Sequence, residues 1–153
     1  MFDIDGVWVE AKHPYDRPPV ALVEVAEVSG RLGSLDNHSK SGRVMMQLGR
    51  AANVPVFLIL YKCSRRPNPA KPASRDIEEF YVKELFPVPS ERWAVLTPAA
   101  MVEFELLLRE EHIRVKRNGS QLPLIPHNLD QMLTDDDLKR RWYSATIMRL
   151  DHA

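Results

Sequence analysis

Residues 20–28 read VALVEVAEV. The run is apolar and rich in β-branched residues, as a strand in the middle of a sheet is. It nevertheless carries Glu24 and Glu27. An ionised carboxylate buried without a partner is strongly unfavourable, so a glutamate here calls for a cation, a metal or a strand end. Strand side chains alternate between faces, so Glu27 points away from Glu24 and reads as a solvated strand-end residue.

Upstream, FDIDGVWVE (residues 2–10) also alternates, with Asp3, Asp5, Val7 and Val9 on one face and Phe2, Ile4 and Trp8 on the other. The prolines of AKHPYDRPP then turn the chain, which predicts a hairpin of two antiparallel strands. Cross-strand neighbours lie about 5 Å apart. Asp3 or Asp5 on the first strand and Glu24 on the second therefore form a candidate site for one hard divalent cation. Mg²⁺ takes one or two carboxylates and completes its shell with waters and phosphate oxygens.

Downstream, SGRLGSLDNHS is small and polar and reads as a loop, in which a lone histidine such as His38 is either a general base or ordinary surface. In KSGRVMMQLGRAAN (40–53), Val44, Leu48, Ala51 and Ala52 recur at helical spacing, and Gly42 and Gly49 weaken the pattern. VPVFLILYK (54–62) is a β-rich apolar run, and a helix followed by a buried strand implies a parallel crossover. RRPNPAKPASR is basic and proline-rich, and is expected to be a surface loop or flap. IEEFYVKELF reads as a further strand ending at Pro87. Thr97-Pro98 opens a helix with Met101, Phe104, Leu107 and Leu108 as its apolar stripe. Asn118-Gly119 marks a turn. Thr134 and Asp137 form a capping-box-like start for a last helix bearing Leu138, Trp142 and Ala145.

The 153 residues suit one domain, with residues 1–62 as core, 63–75 as the basic loop and 76–153 as an additional strand and helices. The fold class expected is α/β, or α+β by a stricter count: a central mixed sheet with helices packed on it. The net charge is zero but unevenly spread. Residues 1–36 lean acidic, whereas 40–75 carry Lys40, Arg43, Arg50, Lys62, Arg65, Arg66, Lys71 and Arg75 against almost no acid. Cys63 stands alone, which excludes a disulfide framework and a zinc-ligand pair and suggests a reducing, cytoplasmic setting. No segment approaches the roughly 18 apolar residues of a membrane span. The start, MFDID, lacks the features of a signal peptide. No phosphate-cradling glycine loop, Ser-His-Asp order or zinc-finger spacing is present.

The order DID, turn, PVALVE, loop, helix and VPVFLILYK resembles the core of the PD-(D/E)xK, or restriction-endonuclease-like, nuclease superfamily, over about residues 2–62. The resemblance implies a metal-dependent hydrolase acting on phosphodiester bonds with Mg²⁺ or Mn²⁺. It implies Asp5 (or Asp3) and Glu24 as metal-holding acids. The family's lysine, two residues after the second acid, falls on Ala26 in this chain. Lys40 or Arg43, at the start of the following helix, is then the expected replacement cation, and Gln47 is placed to orient a water or a phosphate. Arg43, Arg65, Arg66 and Lys71 would contact nucleic acid. The competing expectation is a catalytically inactive member that binds nucleic acid or a protein partner, possible homodimer included. The ordinary readings of the same residues are edge carboxylates for Asp3 and Asp5 and an exposed helix-start lysine for Lys40.

Overall fold

The computed structural model describes residues 6–9, 19–28, 40–110 and 132–141. Asp3, Asp5, His38, Asn118, Trp142 and Ala145 lie outside these residues.

The strands are β1 (Gly6–Val9), β2 (Pro19–Glu27), β3 (Val56–Asn68), β4 (Lys71–Phe86), β5 (Trp93–Leu96) and β6 (Met132–Leu133). Helix α1 is Lys40–Ala52, α2 is Pro98–Glu110, and α3 occupies residues 135–141. The strands form one six-stranded mixed sheet in the order β1-β2-β3-β4-β5-β6. β1 runs antiparallel to β2, β2 parallel to β3, and every later pair is antiparallel. The single parallel step is the one spanned by α1, so the hairpin and crossover expected at residues 2–62 are present.

Each face of the sheet has its own core. Leu22, Leu58, Leu60, Tyr81, Leu85 and Trp93 pack with Met45 of α1 and Leu138 of α3 on one face. Ala21, Val23, Phe57, Ile59, Val82 and Ala94 pack with Met101, Phe104 and Leu108 of α2 on the other. Two-sided covering explains why β2 and β3 read as nearly continuous apolar runs. Phe57 meets Phe104 edge-to-face, with ring centroids 5.1 Å apart.

Both helix stripes need correction. In α1 the buried positions are Gly42, Met45 and Gly49, whereas Leu48, Ala51 and Ala52 are exposed. Gly49, read as weakening the helix, is what lets it approach the sheet. A Cβ on Gly49 would collide with a methyl of Val56 and lie 3.0 Å from the Val54 carbonyl oxygen. Asn53 closes α1 in the left-handed region (φ 56°), with Val54 N–H donating to the Gly49 carbonyl and Asn53 N–H to that of Arg50. In α2, Met101, Phe104 and Leu108 are buried as expected, but Leu107 is 40% exposed because it faces away from the sheet. Thr97 Oγ1 accepts from the Ala100 N–H at 3.1 Å, the predicted cap.

The largest departure concerns residues 63–75. They are not a loop: β3 continues to Asn68 and β4 starts at Lys71, so the segment is the distal half of a β-hairpin and the divisions after 62 and 75 cut through strands. Asn68 and Pro69 explain the turn. The Asn68 side-chain oxygen accepts from Ala70 N–H at 2.8 Å, its Nδ2 donates to Asp76 at 2.9 Å, and proline suits the second turn position. Irregular register around Pro67 accommodates residues that cannot donate to a ladder. Strands β5 and β6, four and two residues long, are too short to show periodicity in the sequence.

Candidate active site on the α1 face of the sheet

Glu24 lies in β2 with Leu58 beside it on β3, and the alternation of β2 puts it on the face of Leu22 and Ala26, beneath α1. It is 8% exposed. Glu27, on the opposite face, is exposed, as expected of a strand-end residue. The pairing of β1 with β2 reaches Gly6 opposite Val23, one residue short of Glu24 on β2. Gly6 is required by this close approach, since a Cβ there would stand 2.8 Å from a Val23 methyl.

The remaining expected site residues are dispersed. Ala26 is half-buried against the apolar cluster with Leu60 as its neighbour on β3, so the position resembling the family's lysine is apolar. Lys40 is the first residue of α1. Arg43 and Gln47 are exposed on the outer face of α1, turned away from the Gly42, Met45 and Gly49 side that meets the sheet. Arg65, Arg66 and Lys71 are exposed on the distal hairpin.

Two charged residues of FYVKELF, like Glu24, lie within an apolar strand. Lys83 is 4% and Glu84 5% exposed. Lys83 lies in the same cross-sheet row as Glu24, with Leu58 between them. At about 4.8 Å per strand the two backbones are roughly 10 Å apart. The Lys83 ammonium sits 5.2 Å above the Trp93 ring and 3.4 Å from the Asp135 carboxylate, which also accepts from Trp93 Nε1 at 2.6 Å. Asp135 belongs to α3, whose start is fixed by the reciprocal Thr134–Asp137 hydrogen bonds at 3.1 Å, the predicted capping arrangement. The hydroxyl and backbone N–H of Thr134 hold the Asp137 carboxyl below its usual range. Glu84 points to the opposite face, and one of its carboxylate oxygens is buried without a hydrogen-bond partner. Burial pushes its carboxyl up to about 7, against a lowering by the Val88 backbone hydrogen bond. Burial also raises the Cys63 thiol, followed by the nearby Glu27.

No cluster of three or more metal-ligating side chains occurs among the described residues. A cation shell containing only one or two protein carboxylates is compatible with the single buried acid that β2 supplies. No helix among the described residues is long and apolar enough to cross a membrane. No family model, curated protein or solved structure matches the chain.

Proposed function

We propose that the chain is a metal-dependent nuclease-like protein acting on phosphodiester bonds, with Glu24 and Asp5 as its metal-holding acids. The observation that carries this reading is Glu24: a carboxylate in a buried strand, on the face covered by the crossover helix, at the end of the β1–β2 pairing. Asp5 precedes Gly6 by one residue just as Glu24 follows Val23 by one, so the two acids are one step beyond the last register pair in sequence. The order of antiparallel pair, crossover helix and parallel strand is the one that the resemblance implies.

Bound at these acids, Mg²⁺ or Mn²⁺ would supply Lewis acidity to a water and neutralise charge developing on a phosphate. The chain's own contribution is to hold Glu24 in position from the sheet and to exclude bulk water beneath α1. A cation from the first residue of α1, Lys40, stands in for the one missing at Ala26, since Arg43 is turned away from the sheet.

The test is cleavage of labelled DNA and RNA, single- and double-stranded, with either metal. Wild type is expected to cut only with metal, and Glu24→Ala to abolish cutting while remaining folded. Ala26→Lys should raise the rate if the rest of the geometry is intact. A wild type inert on every substrate would leave the second reading, a binding protein on the same scaffold, which is favoured by the absence of a cation at Ala26.

A further inference from the structure

The hairpin of β3 and β4 outruns the sheet. The last β2–β3 pair is Glu27 with Tyr61, and the outermost β4–β5 pair is Phe80 with Leu96. Beyond Tyr61 and Phe80 the two strands continue to the turn after Asn68 with no further strand beside them among the described residues. Six residue steps from Lys62 to Asn68 make a ribbon on the order of 20 Å long. Such a two-stranded ribbon is marginal by itself in water, and none of its residues beyond Tyr61 and Phe80 belongs to either apolar core.

Its distal half is predominantly cationic. Arg65, Arg66, Lys71 and Arg75 occupy the distal part and are exposed. The acids cluster at Asp76, Glu78 and Glu79, and each is engaged locally. Asp76 accepts from Asn68, Glu78 pairs with Lys62 at 3.4 Å, and Glu79 accepts from the Tyr81 hydroxyl and pairs with Arg141 at 3.6 Å. Arg66, Lys71 and Arg75 make no ion pair among the described residues. The result is a narrow arm with a basic tip.

We propose that this arm docks on duplex DNA, lying in the major groove with its cations on the flanking phosphates. A two-stranded ribbon fits that groove, about 12 Å wide in B-DNA, whereas the major groove of duplex RNA is too narrow to admit it. Arginine and lysine on a protruding ribbon suit phosphate oxygens. The inference rests on the reading of the chain as one that acts on nucleic acid and names the substrate as double-stranded DNA.

The test is equilibrium binding measured by fluorescence anisotropy in EDTA, so that cleavage plays no part. Probes are a DNA duplex, one of its single strands and the matching RNA duplex, each titrated over a range of salt. Wild type is expected to bind the DNA duplex tightest. Changing Arg65, Arg66, Lys71 and Arg75 together to alanine should flatten the slope of log K against log salt by about 3.6, at about 0.9 per phosphate. Over a fourfold rise in salt that is a roughly 150-fold smaller loss of affinity. The all-lysine counterpart keeps the charge and should keep the slope. Equal slopes for wild type and the alanine variant, with both folded by circular dichroism, would overturn the proposal, as would tighter binding to single strand or RNA duplex. Binding that depends on the arm in a protein that never cuts would overturn the nuclease reading alone. Cutting that is indifferent to the arm would overturn this one alone.

Discussion

Glu84 shows how a single residue ties stability to pH. Its carboxyl is raised by burial from an ordinary 4.5 to about 7. The folded state therefore holds a proton that the unfolded chain releases as pH passes 4.5. Its contribution to stability is greatest below the unfolded value and is lost as pH rises from about 4.5 through about 7. At 1.36 kcal/mol per unit the loss is on the order of 3 kcal/mol. Glu84→Gln removes the titration, so denaturant unfolding of this variant should lack the part of the fall between about pH 4.5 and 7 that wild type owes to Glu84. An undiminished fall would exclude Glu84 as its cause. A second expectation concerns Asp135, which accepts from both Trp93 and Lys83. Asp135→Ala strands a buried ammonium and an indole N–H and should cost about 2 kcal/mol in the same measurement. At this scale the sequence is only half legible. Glu24 is conspicuous because apolar residues flank it on both sides, whereas Lys83 and Glu84 sit side by side and look like a solvated pair. Adjacent strand residues point to opposite faces, and both faces of this sheet are covered, so both charges are buried.

At the scale of elements, β2, β3 and the start of α2 are readable because composition and caps agree with tertiary context. The helix α1 is readable in extent but not in orientation. Its hydrophobic residues suggested one stripe, and close approach to β3 selected another, built on Gly42, Met45 and Gly49. Gly49→Ala accordingly separates propensity from packing. Alanine gains about 1 kcal/mol in helix propensity. The added methyl would strike Val56 and the Val54 carbonyl, an overpacking cost of about 1–3 kcal/mol. Net destabilisation in chemical denaturation is expected, and a stabilised variant would refute the packing account of α1. The distal hairpin was illegible for a different reason. Proline usually argues against strands, and only the Asn68-Pro69 turn signal spoke for a ribbon.

For the molecule as a whole, the two apolar cores and the charged ribbon are separate parts of one sheet. Replacing residues 64–75 by a tight turn removes nothing from either core. The thermal midpoint should then stay within a few degrees of wild type, a shift smaller than about 1 kcal/mol of stability would produce. A large fall in the midpoint would mean that the ribbon supports the sheet rather than projecting from it. The neutral total charge conceals the cationic ribbon, because acids elsewhere in the chain offset it in the sum.

If the buried acid of β2 is kept for a divalent cation, electron paramagnetic resonance of Mn²⁺ added to the protein without nucleic acid will report it. Glu24→Gln preserves shape and removes the charge, and Glu27→Gln on the opposite face serves as the control. Wild type and Glu27→Gln are expected to bind Mn²⁺ alike while Glu24→Gln weakens binding by more than about tenfold, with all three equally folded. Mn²⁺ affinity unchanged in Glu24→Gln, or absent from wild type, would contradict it.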